Sequence, residues 1–243
     1  MKDVVLNTGS CKFEEIYLRL RQKEGRVYSD EEVAHLPEIH ATHPHQQEWK
    51  LRKNSAEKLL KYLQQKKQAL KILEVGSGNG WLSAKLASDP SHHVTGIDIN
   101  SIELQQAKRV FQHKQNIEFF NCSLRDDLLK DCYFDLIVFA ASIQYFSSLR
   151  EIIQEALHHL LRDGEIHILD SAFYRQNELA AARRRSGDYY DATGFPEMTG
   201  HYFHHCLDEI KIFNYTLLYN PDAITRFLIK NKSPFYWVSI QQQ

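Results

Sequence analysis

With 243 residues the chain has room for one α/β domain with additions, and it is long enough to bury a substantial core. Thirty lysines and arginines nearly balance 31 aspartates and glutamates, leaving a formal net charge of -1, so no global field draws it to nucleic acid or to an anionic membrane. It contains no apolar run long enough to span a bilayer, and its first residues lack the longer apolar core of a signal peptide.

Cys11, Cys122, Cys132 and Cys206 are scattered without a Cys-x-x-Cys pair, the usage expected of reduced thiols in a cytoplasmic protein. Along the chain, Phe13, Ile16, Tyr17 and Leu20 recur at helical spacing. Ser29-Asp30-Glu31-Glu32 reads as a capping box opening a short helix that ends near Pro37. A loop rich in histidine (His40, His43, His45) leads into a helix predicted from Gln46 to Lys66, carrying Trp49, Leu59, Leu60 and Leu63. From Leu70 onward strands and helices alternate, the mark of a parallel sheet covered on both faces.

The first apolar run (Leu70, Ile72, Leu73, Val75) enters a turn with Gly76, Gly78 and Gly80 at alternate positions, and Trp81, Leu82, Ala84 and Leu86 then continue as a helix. Such a turn lets a ligand approach the backbone closely and presents it with unpaired N–H groups at the helix start. Val94 to Ile97 form a second strand ending in Asp98, about 20 residues past the glycines, where a carboxylate accepts hydrogen bonds from a ribose diol. Together these features predict a nucleotide-like ligand. Ser101 to about Lys114 and Ser148 to Leu161 are predicted crossover helices, and Glu178 to Arg185 another helix. Ile210 to Tyr219 and Phe235 to Ile240 are predicted strands, with Asn220 and Pro221 as N-cap and first helical residue between them. No repeat, low-complexity tract or linker divides the chain, which predicts a single domain.

A dinucleotide-binding turn, Gly-x-Gly-x-x-Gly, would put its third glycine at position 81, where Trp81 stands. The run Glu74-Val75-Gly76-Ser77-Gly78-Asn79-Gly80 instead resembles the acidic glycine signature of class I S-adenosylmethionine-dependent methyltransferases. Phe134 to Val138 and Leu160 to Ile168 resemble that family's fourth strand and the approach to its fifth. The resemblance covers about Leu70 to Asp170. It implies a Rossmann-like seven-stranded, mostly parallel sheet with an antiparallel last strand. On that frame the chain divides into a helical N-terminal cap (1–68), a cofactor-binding core (69–171), a lid or substrate insertion after the fifth strand (172–209) and C-terminal strands (210–243).

The resemblance also implies S-adenosylmethionine as cofactor and S-adenosylhomocysteine as product. Gly76, Ser77, Gly78 and Gly80 would border the methionine part, with Glu74 shaping the turn. Asp98 would hold the ribose, Ile99 would pack on the adenine, and Leu124 would belong to the cofactor site. Relatives often carry an aspartate after the third strand for the adenine amino group; here Ser123 or a backbone carbonyl takes that place. Ala140 and Gln144 would lie near the transferred methyl, and Arg52, beside Trp49, would reach the cofactor carboxylate.

Methyl transfer asks mainly for alignment and exclusion of water, with a base where the acceptor must lose a proton. His204, His205, Tyr145 and Tyr190 are the candidate catalytic residues, beside the further imidazoles of His40, His43, His45 and His201. The two histidine clusters offer paired spacings for imidazole ligands, but no Cys-x-x-Cys or His-Glu-x-x-His pattern accompanies them, and no metal is expected. Arg183, Arg184 and Arg185 read as a solvated helical face, with recognition of an anionic group as the sharper option. The expected function is methylation of a small molecule, without nucleic acid or membrane as partner. The alternatives are a cofactor-binding scaffold without turnover and an NAD-dependent oxidoreductase.

Overall fold

The computed structural model describes residues 8–223 and 232–242, with the backbone alone for 8–12. Three helices precede the sheet: α1 (Thr8–Lys23), α2 (Asp30–His35) and α3 (Gln46–Lys66). The capping box at α2 is present, Ser29 Oγ accepting the Glu32 N–H while the Glu32 carboxylate accepts the Ser29 N–H. α2 is then tied to the core from outside, because Asp30 pairs with Arg109 at 2.6 Å.

Strands β1 (Lys71–Val75), β2 (His93–Asp98), β3 (Ile117–Asn121), β4 (Phe134–Ala140) and β5 (Leu160–Leu169) are joined by α4 (Trp81–Leu86), α5 (Ser101–Val110) and α6 (Leu149–His158). Beyond β5 lie the short β6 (Phe173–Tyr174), α7 (Leu179–Thr193), the short β7 (His205–Cys206), and then β8 (Asn214–Tyr219) and β9 (Trp237–Gln241). The main sheet has the order β3-β2-β1-β4-β5-β9-β8. β1 to β5 pair in parallel, and β9 runs antiparallel to both its neighbours. This is the Rossmann-like, mostly parallel sheet with an antiparallel last strand.

Residues alternate faces along a strand, and the core divides accordingly. Ile72, Leu136 and Val138 pack with Leu59, Leu63, Leu86 and Leu104 from α3, α4 and α5 on one side. Leu73, Ile137 and Phe139 pack with Ile152 and Ile153 of α6 on the other. Each fully buried side chain of this size contributes about 1.5–3 kcal/mol. A third, smaller cluster joins Leu20 of α1 to Tyr190 and Met198 of the insertion. The insertion is closed at its base by the β6–β7 pair, Phe173 opposite His205 and Tyr174 opposite Cys206.

Several boundaries differ from those predicted. α5 stops at Val110, and a turn closes from the Lys114 N–H to the Phe111 carbonyl at 3.0 Å. α6 stops at His158, because buried His159 bonds the Cys132 and Leu124 carbonyls, both at 3.1 Å, and leads the chain into β5. α7 runs on through Gly187 and ends only at Gly194, whose φ of 80° supplies the left-handed cap. The strand expected from Ile210 begins at Asn214, since Glu209 accepts the Cys206 N–H at 2.6 Å and winds residues 207–212 into a 3₁₀ turn. The helix expected after Asn220 and Pro221 lies outside the described residues.

Gly80, at the start of α4, has a φ of 76°, and a Cβ there would stand 2.6 Å from Phe119 and 2.8 Å from Ala107. Gly80→Ala should therefore cost about 1–3 kcal/mol of stability through overpacking. A urea unfolding midpoint equal to that of the wild type would show that β3 and α5 give way freely at this point.

Candidate functional site

The C-terminal ends of parallel strands are where an open α/β sheet leaves a crevice. Here a cavity of about 380 Å³ opens beyond β1, β2 and β4, within the range of small-molecule sites. Its floor is the glycine turn. The N–H groups of Gly76 and Ser77 both donate to the Ile97 carbonyl, at 2.9 and 3.0 Å. Asp98 extends the tie, one carboxylate oxygen accepting the Gly78 N–H and the other the Asn100 N–H, each at 2.8 Å.

Gly76 has a φ of 78°, and a Cβ on it would stand 2.5 Å from Ser142 Cβ, so the turn and the loop after β4 touch only because this residue is glycine. Ser142 Oγ fixes that loop by donating to the Val75 carbonyl at 2.6 Å. Ser77 Oγ, buried at the same turn, has no hydrogen-bond partner among the described residues. A buried polar atom without a partner beside a cavity is what a polar ligand would satisfy.

The roof comes from the N-terminal cap. α1 supplies Phe13, Glu14, Tyr17 and Arg21; α3 supplies Glu48, Trp49 and Arg52. Glu14 latches α1 to the start of α5, accepting Ser101 Oγ at 2.7 Å and the Ile102 N–H at 3.2 Å. An acidic group there also complements the positive end of the helix dipole. Arg21 lies 4.8 Å from the Tyr17 ring and donates to the Tyr145 hydroxyl at 3.0 Å. Arg52 stacks on Trp49 at 5.2 Å and pairs with Glu48 at 2.9 Å.

Of the residues expected at the cofactor, Glu74, Gly76, Ser77, Gly78, Asp98, Ile99, Ser123, Leu124, Ala140 and Arg52 line the cavity, as does Tyr145. Gly80 does not; its place is the packing contact with Phe119 and Ala107. Gln144 is also outside, its amide spanning the Ala141 carbonyl at 2.6 Å and Ser171 Oγ at 3.0 Å. His204, His205 and Tyr190 lie off the cavity too. His204 bonds Ser186 Oγ at 2.9 Å, His205 is buried against the Ile143 carbonyl at 3.2 Å, and Tyr190 is buried in the cluster with Leu20 and Met198.

Among the other histidines, His201 reaches the cavity, its ring 4.9 Å from that of Phe13. His45 is held by the Glu24 carbonyl at 2.8 Å, and His40 by Thr42 Oγ1 at 2.8 Å. Arg183, Arg184 and Arg185 are exposed on α7, away from the cavity. Among the described residues no group of three or more His, Cys, Asp or Glu side chains is placed to hold a metal ion.

Sequence reading passed over Glu14, Arg21, Arg26, Glu48 and Glu103, all of which line the cavity. The available signal was the face of α1, where Phe13, Tyr17 and Arg21 follow at intervals of four.

Burial shapes the acids of this site. Glu74 is 2% exposed and is pushed up to about 8 by removal from water, opposed by its hydrogen bond from Ser83 Oγ. Burial and the neighbouring Asp98 charge raise Glu103 to about 7, and burial raises Asp98 against its backbone donors. A carboxyl that keeps its proton longer when folded adds stability fully below its unfolded value near 4.5, and that stability is lost as pH rises to about 8. Glu74→Gln, neutral throughout, should flatten the fall in unfolding free energy between pH 4.5 and about 8; parallel pH profiles for wild type and variant would refute the assignment.

Residues 72–164 match the family model described as Methyltransferase domain. The chain is 30% identical over 118 residues to malonyl-[acyl-carrier protein] O-methyltransferase of Bacillus anthracis, covering 47% of this chain and 43% of that protein. It is 29% identical over 131 residues to release factor glutamine methyltransferase of Fusobacterium nucleatum, covering 51% and 35%. The chain thus spans less than half the length of these curated relatives. Among solved structures, the plantazolicin methyltransferase BpumL in complex with SAH superposes with a TM-score of 0.56 at 15% identity, over 94% of this chain and 100% of that one. The N-methyltransferase NodS of Bradyrhizobium japonicum gives 0.51 at 17% identity, over 79% and 97%. At such identities the structural likeness speaks for the fold alone. Taken with the sequence match over residues 72–164 and the glycine turn that builds the cavity floor, it supports a class I S-adenosylmethionine-dependent methyltransferase domain in this part of the chain.

Proposed function

We propose that the chain binds S-adenosylmethionine in this cavity and transfers its methyl group to a small-molecule acceptor in the cytoplasm. The observation that carries the reading is the unpartnered Ser77 Oγ at the glycine turn, beside the Asp98 carboxylate on the cavity wall. When bound, the cofactor supplies an electrophilic methyl carbon. Asp98 accepts the ribose hydroxyls, and Gly76, Ser77 and Gly78 border the methionine part. Ile99, 39% exposed, offers an apolar shelf for the adenine opposite Leu124, with Ser123 toward the amino group. Arg52 takes the cofactor carboxylate.

The roof helix α1 excludes water. Tyr145, whose oxygen already accepts from Arg21, keeps its own proton to donate and thereby orients an acceptor. A near-zero net charge favours a small acceptor over nucleic acid.

Calorimetric titration with S-adenosylmethionine, S-adenosylhomocysteine and NAD tests the reading. Binding of the first two without NAD is expected. NAD binding alone would restore the oxidoreductase reading, and cofactor binding without methyl transfer to any acceptor in a labelled-methyl screen would support a scaffold. Asp98→Ala should weaken the S-adenosylhomocysteine complex by about 1.5–3 kcal/mol, the loss of a hydrogen bond to a charged group. Unchanged affinity in folded variant would remove Asp98 from the ribose.

A further inference from the structure

Five charged side chains along the roof form a ladder. Glu24 pairs with Arg21 and with Arg26, each at 3.1 Å, and Glu48 pairs with Arg26 and with Arg52. The Tyr189 hydroxyl of α7 donates to the same Glu24. Three guanidinium groups therefore share two carboxylates, and the ladder holds one positive charge that it does not compensate. Arg21 stands at one end of the ladder and lines the cavity. Glu24 and Tyr145 each take one of the five N–H groups that a guanidinium carries.

The other acids that line the cavity are Glu14, Glu74, Asp98 and Glu103; none makes an ion pair with the ladder, and Glu74 is bonded by Ser83 Oγ. Glu14 is engaged by Ser101 Oγ and the Ile102 N–H, Asp98 by the N–H groups of Gly78 and Asn100, and Glu103 by Asn100 Nδ2 at 3.1 Å. Arg21 and Arg52 act on Glu103 without an ion pair to it, and burial still raises its carboxyl to about 7.

On the cofactor reading above, the amino-acid end of the cofactor brings one carboxylate and one ammonium, hence no net charge. It does not cancel the surplus of the ladder, and its sulfonium adds a second positive charge. The walls nearest Arg21 are rings: Tyr17 and Tyr145 meet edge to face at 5.7 Å, with Phe13 6.1 Å from Tyr145 and His201 beside Phe13. His204 and His205 do not reach the cavity, so they remove no proton from an acceptor there.

We propose that the acceptor is an organic acid with an apolar body, its carboxylate held by Arg21 and its body held among Phe13, Tyr17, Tyr145 and His201, and that the product is its methyl ester. A guanidinium is the side chain best matched to a carboxylate, and the rings supply apolar surface for the rest. With a carboxyl pKa of about 4, the acceptor arrives ionised at neutral pH and needs no base. One carboxylate oxygen forms the bond to the methyl carbon while the electron pair of the carbon–sulfur bond stays on sulfur. The opposite charges of acceptor and sulfonium cancel, and no proton moves.

The test is calorimetry on the full chain saturated with S-adenosylhomocysteine, titrated with 3-phenylpropionate, 3-phenylpropionamide and 3-phenylpropylamine. The carboxylate should bind at least roughly tenfold more tightly than the amide, with the amine weakest, as a charge-assisted contact requires. Arg21→Gln should reduce that preference to below about threefold while S-adenosylhomocysteine affinity stays within about twofold, and Arg21→Lys should restore part of it. The proposal falls if the amide or amine matches the carboxylate in wild-type protein, or if the preference survives Arg21→Gln. The wild-type comparison decides the charge class even where a variant fails to fold. Absence of S-adenosylhomocysteine binding would instead defeat the cofactor reading, and this inference with it; binding without preference for the acid would defeat this inference alone.

Discussion

The Gly78 N–H donated to the Asp98 carboxylate joins the ends of two neighbouring parallel strands at the cavity. β1 delivers the glycine turn and β2 delivers the carboxylate, and their parallel register (Val75 opposite Ile97) brings the two ends level. A residue with a side chain at Gly76 would collide with Ser142 and push the loop after β4 away, opening the floor. The cavity is thus a product of sheet register and of one position that admits only hydrogen. Everything above that floor, from the exposed Ile99 to the roof, is hung on it.

The roof is built by a different physics. α3 meets the core and α1 meets the insertion through apolar packing, but over the cavity the cap is held by charge: Arg21, Glu24, Arg26, Glu48 and Arg52 alternate in sign. These groups are only partly exposed, so each carboxylate needs its two guanidinium partners to offset lost hydration. The same constraint explains Glu74, which makes no ion pair; burial outweighs the pull of Arg52 and raises its carboxyl to about 8, with Ser83 as its hydrogen-bond partner.

Local chemistry made much of this legible. The Ser29–Glu32 capping box and the glycine turn follow from residues acting on their own backbone within a few positions, and the apolar periodicity of α3 marks its bounds. So did the placement of Asp98, because its distance along the chain from the glycines is fixed by one helix and one strand. What stayed hidden depends on partners far away in sequence. Arg21 matters through Tyr145, 124 residues on, and Glu24 through Tyr189, 165 residues on, and no spacing rule connects such pairs. The histidines misled for a related reason. An imidazole is equally apt as a base and as a link to a backbone carbonyl, and His45, His159 and His205 serve as links. Gln144 was placed near the methyl by its position after β4, yet its amide closes a local turn with Ala141 and Ser171.

Tyr202 stacks edge-on against Tyr145, which faces the cavity, and against Tyr190 and His204, which do not. Rings packed this way transmit displacement, since a close-packed interior leaves little slack to absorb a change of volume. His201 apart, which lines the cavity itself, the insertion therefore reaches the cavity wall at second hand. Substitutions in α7 and the segment after it, at positions off the cavity, thus reshape the cavity wall while the glycine-turn floor is left untouched.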